Sequence, residues 1–355
     1  MEVDQVLLAS PRGFCAGVEM AIKALAWMVR MFEPPVYCYH EIVHNEVVVE
    51  RFRALGVVFV DDVAEVPLGA PLMLSAHGSA PQVVAAARER GGVVVNAVCP
   101  LVKKVHHEVK VRAGKGYEIV YVGHEGHQEA IGTMAVAPDA VHRVESVDDI
   151  AALGEPSGPV AFLAQTTLAL DEWQALLEAA RERWPDLWVP GHSDLCFATT
   201  NRQAALKAVT GRCDAMVVIG SENSSNTRAL ERTATAAGCP RVLRVDGPDE
   251  LPDDLSGVVG LIAGASAPEE LVSAVLAQLS PRNGIEEVRA VEEDQYFGPP
   301  PELRDLLRRL GAAAAVACLA PGADSRAGEG PAPDDRDVRA ADALAGLAGR
   351  AHAVA

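Results

Sequence analysis

Cys15, Cys99 and Cys196, three of the seven cysteines, each follow an apolar run and open a stretch of helical periodicity: AGVEMAIKAL, PLVKKVHHEV and FATTNRQAALKAV. A helix N-terminus carries partial positive charge that favours thiolate, and thiolates bind soft metals, so the trio suits an iron–sulfur cluster or zinc. A structural zinc site wants a fourth ligand and usually close CxxC spacing; no CxxC occurs here, and the three cysteines stand 84 and 97 residues apart. Three thiolates from distant segments leave a coordination position open, as catalysis at a metal requires. The spacing is equally compatible with three buried structural cysteines. Cys38, Cys213 and Cys239 lie within or beside apolar stretches and read as core residues.

A second polar set occupies the turns HEIVHN, SAHGS, GHEGHQE, QTT, SENSSN and GASAP. Small residues there let the backbone approach a ligand, and amides at a following helix start favour an anion, so the set describes a phosphate or diphosphate cradle. His44, His77 and His127 each trail an apolar run by a few residues; singly each reads as an ordinary capping or core histidine, but three at equivalent strand ends point to a site, where imidazoles can donate to phosphate oxygens. Glu129, two residues after His127, reads by itself as an exposed helix-start glutamate; held near an anion and away from water, such a carboxyl would have a raised pKa and deliver protons. Neither GxxxxGK[ST] nor GxGxxG is present, which speaks against a nucleoside triphosphatase or a dinucleotide enzyme.

The elements that must position these groups repeat as strand, polar turn, helix, which predicts an α/β protein with mostly parallel sheets and ligands beyond the carboxyl ends of the strands. Three similar units follow from the cysteine spacing: residues 1–98, with the N-terminal strand and Cys15 packing centrally, 99–195 and 196–310. A pseudo-threefold arrangement of these units would gather the thiols at one centre. Residues 311–355, rich in Ala, Gly, Pro and Asp and without aromatics, are expected to be disordered apart from a helical patch near Val338 to Leu347, with no role for Cys318.

The 355 residues are 49% hydrophobic and 23% charged, which is globular, and no run approaches the ~18 apolar residues of a membrane helix. A net charge of −18 excludes a broad basic surface for nucleic acid or anionic lipid. The start, MEVDQVLLASPRG, carries acids ahead of a very short apolar run, unlike a secretory signal, and predicts a cytoplasmic protein in which disulfides are not expected.

The strings PRGFCAGV, HEIVHN, SAHGS, CPLVKKVH, GHEGHQE with GTM, QTTL, CFATTNRQ, GSENSSN and GASAP occur in one order, and with them the chain from about residue 5 to 304 resembles the LytB/IspH family of 4-hydroxy-3-methylbut-2-enyl diphosphate reductases. The resemblance implies an oxidoreductase with three α/β domains around a central [4Fe–4S] cluster held by Cys15, Cys99 and Cys196, the fourth iron being open to the substrate hydroxyl. It implies a two-electron, two-proton reductive dehydroxylation of (E)-4-hydroxy-3-methylbut-2-enyl diphosphate to isopentenyl and dimethylallyl diphosphates, the last step of the non-mevalonate route. Carried onto matching positions, His44, His77, His127, Ser224, Ser225, Asn226 and Ser266 would bind the diphosphate. Glu129 would deliver protons, with Thr166 hydrogen-bonded in that relay. A ferredoxin or flavodoxin would supply electrons, and docking it on an acidic chain calls for a local basic patch.

Three departures stand out: Gln128 where the family usually has Pro, Lys103 where it has Thr, and NAVCP for DATCP. The rival readings are a non-catalytic iron–sulfur or zinc-stapled protein, and a metal-independent diphosphate lyase or phosphatase working through His127 and Glu129.

Overall fold

The computed structural model describes residues 1–90, 92–318 and 335–347. Its strands form three sheets, and every pairing in them is parallel. β2 (Val36–Tyr39), β3 (Val57–Val60), β4 (Leu72–Leu74) and β5 (Val94–Asn96) make one, in the order β3-β2-β4-β5. β6 (Glu118–Val122), β7 (Val141–Val144) and β8 (Val160–Ala164) make the second, with β6 central. The third has five strands, β10 (Val242–Val245), β9 (Ala215–Ile219), β11 (Ser256–Ala263), β1 (Glu2–Ser10) and β12 (Ile285–Arg289), in that order. The N-terminal strand thus pairs with strands from the far end of the chain. VAFLA in β8 and AMVVI in β9 are buried at every residue, as strands covered on both faces must be.

The connecting helices are α1 (Ala16–Met31), α2 (Glu46–Arg53), α3 (Pro81–Glu89), α4 (Pro100–Ala113), α5 (Gln128–Met134) and α6 (Val147–Ala152). They continue with α7 (Leu170–Arg183), α8 (Phe197–Thr210), α9 (Ser225–Ala236), α10 (Glu269–Leu279), α11 (Pro301–Cys318) and α12 (Ala340–Ala345). α1 is apolar nearly all round and runs through the largest core cluster, beside Phe52, Met73 and Leu303. α4 starts with Pro at its first position and buries the stripe Val102, Val105 and Val109, leaving its other face to solvent.

Cys38 and Cys213 are buried in apolar clusters, and Cys239 is half-buried beside the latter. The expected disorder after residue 310 does not hold for what is described there. α11 continues through Cys318, and residues 335–347 dock on α1, with Ala340, Ala343, Leu344 and Leu347 buried in its core cluster. The reason is tertiary: α1 offers these small apolar side chains a surface that their own composition could not supply. Lys23 of α1 is nearly enclosed, its Nζ 3.4 Å from an Asp335 carboxylate oxygen and donating to the Asp335 and Val338 carbonyls. The rest of that predicted tail lies outside the described residues. Among the described residues no helix is long and apolar enough to cross a membrane.

Candidate active site

Each of the three cysteines caps a helix: Cys15 caps α1, Cys99 α4 and Cys196 α8. Each is also tied down by the same device. The backbone N–H of Cys15 donates to the Ala265 carbonyl (3.1 Å), that of Cys99 to Ala76 (3.0 Å), and that of Cys196 to Thr166 (3.0 Å). The acceptors sit in the polar turns after β11, β4 and β8, so every thiol is locked to a turn of the cradle set. Gly17 shows how close two of them come, for a Cβ added there would lie 2.9 Å from the Cys99 sulfur and 3.8 Å from that of Cys15. Among the described residues no three His, Cys, Asp or Glu side chains converge on one metal ion; the thiols face each other across a cavity.

That cavity, about 110 Å³, is lined by all twelve residues singled out from the sequence: Cys15, Cys99, Cys196, His44, His77, His127, Glu129, Thr166, Ser224, Ser225, Asn226 and Ser266. At this size a single guest contacts groups from all three sheets. His44 and His77 are stacked, with ring centroids 3.9 Å apart, and His127 meets both edge-on at 5.7 and 6.3 Å. His44 Nδ1 is held by Glu41 at 3.2 Å, whereas His44 Nε2 and His77 Nδ1 are buried with no partner among the described residues. An unsatisfied buried nitrogen costs roughly 1–3 kcal/mol, so each of these two would gain from an oxygen partner supplied by a ligand. Burial, with the neighbouring imidazoles second, holds His77 well below the ordinary histidine range and His127 down to about 3. Both are therefore held as neutral imidazoles.

Opposite them α9 points its N-terminus inward, with Ser224 as cap and Ser225 and Asn226 in the first turn. Ser225 Oγ accepts from Gln165 Nε2 (3.0 Å), Asn226 Oδ1 accepts from the Ala265 N–H (2.9 Å), and Ser266 Oγ donates to the His44 carbonyl (2.9 Å). The bonds at Ser225 and Ser266 stitch the third sheet's turns to the second and first, and the one at Asn226 joins two turns of the third sheet to each other.

Glu129 is buried in the first turn of α5, and its two carboxylate oxygens accept from the N–H and the Oγ of Thr166, each at 2.8 Å. Thr167 bonds Gln165 instead. Burial lifts the Glu129 carboxyl from 4.5 to about 7 against the lowering pull of both Thr166 bonds. The result is a carboxyl that holds and releases a proton near neutrality, facing thiols and imidazoles. Gln128 lies against the His77 ring. Lys103 stands exposed on α4.

Sequence reasoning missed three contributors. Thr199 bonds the Cys196 sulfur through its Oγ (3.0 Å) and N–H (3.3 Å) and accepts from Asn226 Nδ2; its position three residues after a helix-capping cysteine was the available signal. Gly17 carried no signal beyond being next but one to Cys15. Phe297 lines the cavity from the segment after β12, packing on Phe197 with centroids 6.2 Å apart. That segment is anchored by Glu293, which pairs with the enclosed Arg202 at 3.1 Å.

Fold and cavity define a class: an α/β protein whose reactive groups lie beyond the carboxyl ends of parallel strands and are drawn from three sheets around a thiol-lined centre. Residues 6–280 match the family model described as LytB protein, and the chain belongs to the LytB family. It is 47% identical to 4-hydroxy-3-methylbut-2-enyl diphosphate reductase 2 of Mycobacterium bovis over 84% of this chain and 94% of that one. It is 44% identical to the 4-hydroxy-3-methylbut-2-enyl diphosphate reductase of Rhodopirellula baltica, over 87% and 98%. The solved E-1-hydroxy-2-methyl-but-2-enyl-4-diphosphate reductase of Plasmodium falciparum superposes with a TM-score of 0.83 at 30% identity, covering 87% of this chain and 99% of that one.

Proposed function

We propose that this chain reduces (E)-4-hydroxy-3-methylbut-2-enyl diphosphate to isopentenyl and dimethylallyl diphosphates, the terminal step of the non-mevalonate route, taking up two electrons and two protons and releasing water. The observation that carries this is the shared cavity: a carboxyl poised near neutrality and a wall of unpartnered imidazole nitrogens face three helix-capping thiols.

Cys15, Cys99 and Cys196 would hold a [4Fe–4S] cluster. The donor set fits: it is all sulfur, it supplies three ligands from three helix N-termini, and the gap at Gly17 keeps the sulfurs of Cys15 and Cys99 together without a side chain between them. When bound, such a cluster supplies electrons one at a time and a Lewis-acidic iron that weakens an allylic C–O bond.

The remaining work falls to this chain's side chains. His44 and His77 donate to the diphosphate, and the α9 amides at Ser225 and Asn226 add the helix dipole, so the anion fixes the carbon skeleton across the cavity. His127 caps α5 with its Nδ1 accepting from the Glu129 N–H (3.2 Å), which fixes where the acid begins its helix. Glu129 protonates the departing hydroxyl and takes a fresh proton for carbon, with Thr166 holding its carboxyl in one orientation. The electrons come from a small one-electron carrier.

Protein purified without oxygen should contain about four irons per chain and, with reduced viologen, convert the hydroxylated diphosphate to both products. An intact cluster with no isopentenyl product sinks the reading, as does stoichiometric zinc without iron. Turnover that survives iron chelation and needs no reductant assigns the cavity to a lyase instead.

A further inference from the structure

The chain has six lysines, and four of them, Lys103, Lys104, Lys110 and Lys115, fall within thirteen residues. With Arg112 they set five cations against one acid, Glu108, in a protein whose net charge is −18. The structure turns this run outward: Lys103, Lys104, His107 and Lys110 are exposed on the face of α4 opposite its buried valines, and Lys115 is exposed in the turn that follows.

Exposed cations elsewhere are widely neutralised, Arg53 by Glu46 and Glu50, Arg212 by Glu286, Arg282 by Glu2. On α4, Lys104 reaches Asp194 at 3.7 Å and Arg112 reaches Glu108 at 3.4 Å. Lys103, His107, Lys110 and Lys115 have no ion pair among the described residues. Folding gains nothing visible from Lys103, which has no ion pair among the described residues and sits near the N-terminal end of α4, where the helix dipole disfavours a cation.

Their place in the fold gives them a use. Cys99 caps α4, so Lys103 is one turn from that thiol, about 6 Å along the axis, and Lys110 is about 16 Å along it. We infer that the face formed by Lys103, His107 and Lys110, flanked by Lys104 and Lys115, is where a small acidic electron-carrier protein docks to feed the site through the Cys99 end of α4. The inference rests on the reductase reading above and adds the partner's charge and its landing place. Net repulsion between two acidic proteins is screened beyond about 8 Å at physiological salt, so at contact distance the local run of cations decides. Redox encounters bury little surface, below about 1,200 Å², and one helix face with its flanks is enough.

The test uses cluster-loaded protein and an acidic [2Fe–2S] ferredoxin. In the double variant Lys103→Glu, Lys110→Glu, ferredoxin affinity measured by calorimetry should fall about tenfold and lose most of its salt dependence. Ferredoxin-driven turnover should fall with it while viologen-driven turnover stays within about twofold, because a small dye needs no docking face. An acid at position 103 suits the helix dipole at the start of α4, whereas one at 110 opposes it in the last turn, so far-ultraviolet dichroism and iron content are matched to wild type and the single variant Lys103→Glu is run beside the double one. Unchanged ferredoxin affinity overturns the inference. So does an equal loss of viologen-driven turnover, which would assign the lysines to the cluster itself. Binding of anionic vesicles or duplex DNA by this face in place of ferredoxin also overturns it. Failure of the reductase reading looks different, as wild-type protein with intact iron would then make no product with viologen either.

Discussion

Glu129→Gln separates the proton from the geometry. The amide is isosteric with the carboxyl: its oxygen can accept from the Thr166 N–H and its nitrogen can donate to Thr166 Oγ, preserving both 2.8 Å contacts. A carboxyl carried from 4.5 to about 7 represents on the order of 3 kcal/mol between its protonation states. The sign follows from proton binding. Below about pH 4.5 the group is protonated in both folded and unfolded chains and contributes no penalty. As pH rises toward 7 the unfolded chain loses the proton while the folded chain keeps it, so stability falls, and the loss is complete above the folded value. Urea unfolding of the cluster-free protein at a series of pH values should show that decline in the wild type, and the variant should lack it. The variant should therefore be the more stable protein at pH 8 by up to about 3 kcal/mol. In the loaded enzyme the same substitution should lower turnover by about 10²–10⁴ with diphosphate affinity kept. Parallel stability curves would show that Glu129 titrates as an ordinary carboxyl, and near-normal turnover would remove it from the proton path.

Two further substitutions probe the frame. Gly17→Ala puts a methyl 2.9 Å from the Cys99 sulfur, which forces apart the sulfurs of Cys15 and Cys99; iron content after anaerobic reconstitution should drop well below the wild-type value while far-ultraviolet dichroism stays the same. Asp335→Ala leaves the enclosed Lys23 ammonium with two carbonyls and the face of the Tyr296 ring but without its 3.4 Å carboxylate, which should cost about 3 kcal/mol in denaturant unfolding; an unchanged midpoint would mean that residues 335–347 leave α1 in solution.

The site was readable in the sequence because each of its parts obeys a local rule. A parallel strand ends, a polar turn follows, and a helix begins, so Cys99 after VVVNAV or Glu129 after GHEGH could be placed at a strand end from neighbours alone. What was not readable depends on contacts between distant segments. Nothing in EVDQVLLAS says that β1 will lie between β11 and β12. Ala340 and Leu344 lie in the helical patch expected near Val338 to Leu347, where α12 is found, but that this helix would be buried against α1 could not be read from its composition. Phe297 and Gly17 become site residues only because three sheets converge. Lys103, noticed as a departure from the family, acquires meaning from the exposed face it shares with His107 and Lys110.

The position of β1 has a consequence for biosynthesis. It leaves the ribosome well before its partners, which run from Ser256 to Ala263 and from Ile285 to Arg289. Until most of the chain has been translated β1 has no neighbour to pair with, and Cys15, a few residues beyond it, has no Ala265 carbonyl to anchor it. The thiols of Cys99 and Cys196 are made in between and wait in the nascent chain until Cys15 is anchored. Assembly of the centre is thereby deferred until β11 and its following turn have been made, and a product truncated before Ala265 lacks the anchor of Cys15.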